Sequence, residues 1–267
     1  MVSEIGNENT FTGSVKLALV ERVYGYPGVR SLGRSDLGAR LGDLFAPVLS
    51  LARKAGYAVR FLPARPGGKL LDVGCGNGSF LHLMRRLAWE VQGIEPDPEA
   101  AAIAAAQNLC VEVADVTRAE LPDSYFDAIT LTHVAEHFPA PAAAFATLAR
   151  ALKPGGIIVS ISPNPAGVVR RLFGNKWYQL DPPRHFVIPS ERAYRAILEP
   201  LGFNVQIWTS MRMSYWAIRE SMSIARAGAA HRSGGGFLSR LLHIGVVMVS
   251  FLLPGSGEEV ICYATKK

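Results

Sequence analysis

The chain has 267 residues, 49% of them hydrophobic and 19% charged, with a net charge of +6. This reads as a globular, rather apolar protein, long enough for one large domain or one domain with an insertion. The charge is uneven: from Arg170 to Arg240 eleven Arg/Lys stand against four acids, leaving +7 there and −1 over the rest. A basic half of this kind meets anionic substrates, lipid headgroups or nucleic acid, or is a plain solvated face. Cys75, Cys110 and Cys262 form no C-x-x-C pair. They read as reduced thiols of a cytoplasmic protein, packed as small core residues in or beside strands. Glu4 and Glu8 and the lack of an apolar h-region argue against a secretory signal. No run reaches the ~18 apolar residues of a spanning helix.

Residues 1–13 are polar and expected to be loose. Leu37, Leu41, Leu44, Phe45, Val48 and Leu49 recur at helical spacing, which predicts a helix over 35–58 and a helical cap over 1–60. Residues 61–267 form the second predicted domain. Pro63, Pro66, Gly67 and Gly68 mark a loop into the first strand, Lys69–Val73. Strands and helices then alternate: a helix near Phe80–Leu87, a strand Glu90–Ile94, a helix Pro98–Gln107, a strand Val111–Ala114, a strand Phe126–Thr132, a helix near Pro141–Ala151, a turn Lys153–Gly156 and a strand Ile157–Ser162. Repeated βα units imply a doubly wound α/β fold around a parallel sheet. A basic segment follows, then a helix Ser190–Leu201, a strand Phe203–Thr209, a helix Tyr215–Ala227, an apolar segment Phe237–Leu253 and a strand Val260–Thr265.

The run Leu71-Asp72-Val73-Gly74-Cys75-Gly76-Asn77-Gly78 is a buried strand breaking into a glycine loop before a helix. That geometry makes a nucleotide-sized pocket. Ser79 stands where a dinucleotide fingerprint wants its third glycine, which argues against NAD or FAD. In an open parallel sheet, ligands bind beyond the carboxyl ends of the strands. Glu95 ends the second strand, where its acceptor-only oxygens suit a ribose diol. Asp115 and Val116 follow the third, where a carboxylate and an amide can read an adenine edge. His133 to His137 follow the fourth.

These residues resemble the class I S-adenosylmethionine-dependent methyltransferases, in the branch that includes the ubiquinone-biosynthesis O-methyltransferases. The matching stretches are Leu70–Gly78, Gly93–Pro98, Ser124–Thr132, His133–Phe138, Leu152–Gly156, Pro163-Asn164 and Pro182–Phe186. The resemblance implies S-adenosylmethionine as cofactor and a seven-stranded, mostly parallel sheet whose last strand is antiparallel. It implies that Asp72, Gly74, Cys75, Gly76 and Gly78 enclose the methionine part. Glu95 and Pro96 would hold the ribose side, Asp115 and Val116 the adenine, and His133 and Val134 the wall beside the methyl group. Segments 163–189 and 210–257 would shape the acceptor site, with Trp177, Tyr178 and Arg184 as acceptor contacts and His137 or His185 as general base.

Each assignment has a plainer competitor. Glu95 is otherwise a strand-end surface carboxylate, the glycines a simple turn, and Asp115 a local cap. The histidines can be loop residues bound to the backbone, Arg184 can brace the lid, and Trp177 and Tyr178 can be packing. His133-Val134-Ala135-Glu136-His137 spells H-x-x-E-H, but zinc binding needs a helix, and here a strand ends and Pro139 follows, so no metal is expected. Segment 237–253 can be a buried core helix, cover a lipid-like acceptor, form a dimer face or touch the inner face of a membrane peripherally. The expected activity is O-methylation of a small amphipathic or lipid-linked acceptor. A nucleic-acid or protein methyltransferase is the alternative, disfavoured because no basic run of five occurs. A non-catalytic membrane-associated scaffold is the second alternative. The oligomeric state is left open.

Overall fold

The computed structural model describes Ala18, residues 20–26, 56–231 and 236–267. The helix expected over 35–58 and the cap over 1–60 fall mostly outside the described residues. Seven strands form one sheet: β1 (Lys69–Val73), β2 (Glu90–Ile94), β3 (Cys110–Glu112), β4 (Phe126–Thr132), β5 (Leu152–Pro163), β6 (Phe203–Ser210) and β7 (Glu259–Lys266), in the order β3-β2-β1-β4-β5-β7-β6. β1 pairs with β2, and β2 with β3, in parallel, whereas β6 and β7 are antiparallel. The chain reverses direction across the sheet between β1 and β4, which is the topological switch point.

The backbone groups into two compact units. The first is Met1–Thr130 with Ala151–Val159; the second is Leu131–Arg150 with Ser160–Lys267. In the first unit, α1 (Ser79–Arg86) follows the glycine loop and α2 (Pro98–Ala105) follows β2. Helix α2 starts at Asp97, whose side chain accepts from the Glu99 N–H, and Pro98 stands at its first position. In the second unit, α3 (Pro141–Ala151) precedes β5, and α4 (Val168–Phe173) lies within the basic segment. Helix α5 (Glu191–Leu198) is capped by Ser190, whose Oγ accepts from the Ala193 N–H. Then come α6 (Ser214–Ala227), ended by Gly228 in the left-handed region, and α7 (Phe237–Leu252). Val169, Trp177, Ala217, Ile218, Met222 and Val246 form a core under α4, α6 and α7.

Three expectations need correction. β3 ends at Glu112 rather than Ala114, because its last pairing is Ile94↔Glu112 and β2 stops at Ile94. The turn expected at Lys153–Gly156 falls inside β5, which bends there at Gly155, φ 73°. Lys153 Nζ binds both Asp127 oxygens at 2.9 and 3.0 Å, and the Tyr125 N–H donates to Ala151 O, which ties the start of this stretch to β4. Cys110 is exposed on the edge strand β3, unlike the buried Cys75 and Cys262.

Candidate active site

The first unit holds the glycine loop and the residues around it. Glu95 is buried, and its two oxygens divide the work: Oε2 accepts from the Gly76 N–H at 2.7 Å and Oε1 from the Asp97 N–H at 3.0 Å. Each carboxylate oxygen retains a second lone pair. Gly76 has φ 55°, and a Cβ there would meet no atom within 4 Å, so the loop opens onto space at this point. Gly78 differs. A Cβ on it would come within 2.4 Å of Leu109 and 2.9 Å of Ala104, so its glycine serves close packing of the loop on α2. Cys75 is buried; burial first, then the Asp72 and Glu95 carboxylates, push its thiol up to about 12, which leaves it no role as a nucleophile at neutral pH. Pro96 is exposed beside Glu95.

Asp72 is fully buried. It is ion-paired with Arg60, and its Oδ1 accepts from Thr130 Oγ1 at 2.8 Å. The guanidinium also donates to Thr130 Oγ1 at 3.1 Å and lies 3.7 Å over the Phe80 ring. Sequence reasoning missed Arg60. The chain reaches Asp72 from that loop only because Arg60 and Phe61 both adopt positive φ, 47° and 60°, which no local residue pattern announces. Asp115 turns back on its own loop: Oδ1 accepts from the Thr117 N–H at 2.8 Å and from Thr117 Oγ1 at 2.6 Å, and these bonds lower its pKa. Val116 beside it is buried.

The open face at Gly76 and the spare lone pairs of Glu95 fit the methionine and ribose parts of an S-adenosyl group. Glu95 and the loop amides would hold it, and its sulfonium would supply the methyl group.

The second unit carries the histidines. His133 leaves β4 with φ 55°. Its Nε2 is 3.3 Å from Glu259 Oε1 and its Nδ1 is 3.4 Å from Glu136 Oε1, both carboxylates being fully buried. Burial alone would lower its pKa; the two carboxylates outweigh that and raise it to about 9. His133 is therefore a fixed imidazolium at neutral pH and has no lone pair to accept a proton. Val134 is half-buried next to it. His137 and His185 are bound differently. His137 Nδ1 donates to Arg184 O at 2.9 Å and His185 Nδ1 donates to Gln179 O at 2.7 Å, which leaves each Nε2 as an acceptor. Their rings meet edge to face with centroids 4.7 Å apart. One ligand atom each from Glu136, His137 and His185 lie within 4.8 Å of one another, a spacing that could hold a cation. Arg184 is exposed and paired with Asp181 at 2.7 Å.

Trp177 is core: it is 1% exposed, and its Nε1 donates to Glu258 Oε1 at 2.8 Å. Tyr178 is half-buried, and its N–H donates to Ser221 Oγ at 2.9 Å. Burial pushes the Glu258 carboxyl up to about 8, against the bond from Trp177. Both raised groups make stability fall with alkalinity. The support from His133 is complete below pH 6.5 and is lost as pH rises through about 9; that from neutral Glu258 is complete below 4.5 and is lost as pH rises through about 8. We expect the unfolding free energy to fall by roughly 4–5 kcal/mol between pH 6.5 and 9. Urea unfolding across that range checks it. Glu258→Gln should roughly halve the slope between pH 6.5 and 8 and leave the later fall; a flat wild-type profile contradicts the assignment.

The family described as methyltransferase domain matches residues 50–206. A ubiquinone biosynthesis O-methyltransferase of Alkalilimnicola ehrlichii is 36% identical over 150 residues, covering 51% of this chain and 61% of that protein. The chain thus spans less than two thirds of that relative. Another from Xanthomonas campestris pv. campestris is 31% identical over 176 residues, covering 60% of this chain and 72% of that protein. Among solved structures, an S-adenosylmethionine-dependent methyltransferase from Archaeoglobus fulgidus has a TM-score of 0.54 at 21% identity, covering 76% of this chain and 88% of that one. Phosphoethanolamine N-methyltransferase 2 of Haemonchus contortus, in complex with S-adenosyl-L-methionine, has a TM-score of 0.54 and covers 96% of this chain and 57% of that one. Sequence and fold agree, and the chain belongs to the methyltransferase-domain family.

Proposed function

We propose that this chain methylates a hydroxyl oxygen of a small amphipathic acceptor, on the cytoplasmic side of a membrane that it touches through 237–253. The observation that carries the reading is the tethering of His137 and His185 through Nδ1 to backbone carbonyls, which keeps each Nε2 ready to take a hydroxyl proton. A hydroxyl acceptor needs such a base, because methyl transfer to neutral oxygen must shed a proton. The names of the relatives, ubiquinone biosynthesis O-methyltransferases, support an oxygen acceptor and a quinone precursor as its class. The basic and apolar character of 163–189 and 210–257 supports an acceptor with both a polar head and an apolar tail.

In this reading the residues divide as follows. Glu95 and the Gly76 amide hold and orient the cofactor. Glu136 and Glu259 fix His133 as a cation. His137 or His185 accepts the proton at Nε2 as the acceptor oxygen develops nucleophilicity.

The test is transfer of a labelled methyl group from S-adenosylmethionine to hydroxylated quinone precursors with tails of increasing length. Methyl ether formation, identified by mass spectrometry, supports the reading; label appearing only on amines, protein or nucleic acid overturns it. His137→Ala and His185→Ala should separate the base from its neighbour. The base variant is expected to lose about 10²–10⁴-fold in kcat, with KM for S-adenosylmethionine unchanged. If neither variant loses more than a few-fold, neither histidine is the base.

A further inference from the structure

Helix α7 is built inside out. Phe237, Leu241, Ile244, Met248 and Leu252 are exposed, Phe237 by 77% and Leu252 by 80%. Their spacings of four, three, four and four residues put them in one stripe. The opposite side, turned to the protein, carries Ser239, His243 and Ser250 beside Leu242 and Val246. Those polar groups are all satisfied. Ser239 Oγ donates to Gly236 O at 2.7 Å, Ser250 Oγ donates to Val247 O at 2.9 Å, and His243 Nδ1 meets Ser214 Oγ at 3.0 Å. The helix therefore sits in its proper register, with its more apolar face outward. A water-facing helix shows the reverse arrangement.

The exposed charges of α7, and of the α4 segment that packs against it, are cationic. Arg240 is exposed on α7 itself, and α4, which contacts α7, exposes Arg171 beside Leu172, with Lys176 exposed just beyond its end. No acid occurs in residues 166–180 or 221–257. We propose that α7 lies along the headgroup layer of an anionic lipid leaflet, with its apolar stripe in the acyl boundary and these basic groups on the phosphates. This names the lipid that meets 237–253 and rests on the proposed function only for the presence of a membrane; it holds whether or not methyl transfer to oxygen does. Helix α7 has 16 residues, about 24 Å, short of the ~30 Å hydrocarbon core, so it lies in the surface and does not cross. Among the described residues no helix is long and apolar enough to span. A second copy of the chain is the poorer occupant, since a two-fold contact through α7 would bring one basic rim against its twin. An anionic leaflet instead attracts each Lys or Arg by about 1 kcal/mol.

Flotation of the full chain with vesicles tests this. The chain should float with phosphatidylcholine–phosphatidylglycerol vesicles and bind phosphatidylcholine alone at least about tenfold more weakly. The exposed double variant Ile244→Asp/Met248→Asp should lose flotation, and Arg171→Glu/Lys176→Glu should lose the preference for anionic lipid. Calorimetry with S-adenosylmethionine on the same samples should be unchanged in both, which shows that they fold. The proposal is overturned if the wild type stays with neither vesicle. It is equally overturned if Ile244→Asp/Met248→Asp still floats, or if the wild type is a dimer that this variant splits. Equal binding to both vesicle types overturns the anionic partner. Failure of cofactor binding alone would count against the transferase reading and leave the flotation result standing.

Discussion

Replacing Glu95 by alanine is expected to weaken S-adenosylmethionine binding by about 100-fold or more in calorimetry, with the fold retained. Two losses combine. The carboxylate is the acceptor proposed for the ribose diol, and its oxygens also fix the amides of Gly76 and Asp97 at 2.7 and 3.0 Å. Hydrogen bonds to a charged group contribute about 1.5–3 kcal/mol each, so losing the loop order alone can cost tenfold. Glu95→Gln keeps one acceptor oxygen but turns an N–H₂ toward a backbone N–H, so it should fall between wild type and alanine. An alanine variant that binds as tightly as wild type would mean that the glycine loop is only a turn. If binding is lost while the cellular role persists, the scaffold reading gains.

Arg60→Met should destabilise the protein by about 3–5 kcal/mol, the usual cost of removing one partner of a buried ion pair. The substitution keeps an unbranched chain against Phe80 but takes the guanidinium from Asp72, which has no exposed surface. Adding Asp72→Asn on that background should recover part of the loss, because the buried charge is then gone as well. The urea midpoint reads both variants, and a midpoint unmoved by Arg60→Met rules out a structural role for the pair. Cofactor affinity should fall in parallel, since Asp72 stands two residues before Gly74, at the entrance to the loop.

The succession of strands and helices along the chain and the position of Glu95 at a strand end were legible because they depend on local signals: apolar runs of strand length, glycines between them, and a carboxylate where a run stops. Arg60 was not legible. Its contact depends on two consecutive residues in a backbone region that only tertiary packing sustains. The charge state of His133 was hidden for another reason. One of its carboxylates, Glu136, is three residues away, but the other, Glu259, is 126 residues away, and the pair together decide the outcome. The sequence placed His133 in the wall beside the methyl group and said nothing of its charge. Trp177, offered as an acceptor contact or as packing, is a core residue bonded to Glu258, and aromatic composition alone does not say which way a ring will face. The same limit applied to 237–253, where the apolar run was plain and its outward orientation was not.

β6 and β7 are neighbours in the sheet, and Ser210 pairs with Glu259, so everything from residue 211 to 258 leaves and returns at adjacent points. It is a closed excursion from an antiparallel pair. The entropy of closing such a loop grows only with the logarithm of its length, roughly 0.6 kcal/mol per doubling. Lengthening, trimming or exchanging α6 and α7 therefore asks little of the strands that anchor them. Under the proposed role of 210–257 in acceptor binding, swapping this one excursion would bring new acceptors and new surfaces, while Gly76, Glu95 and Asp72 remain untouched far upstream in the chain. A chimera that grafts a foreign excursion between Ser210 and Glu259 should keep its cofactor and change its clientele.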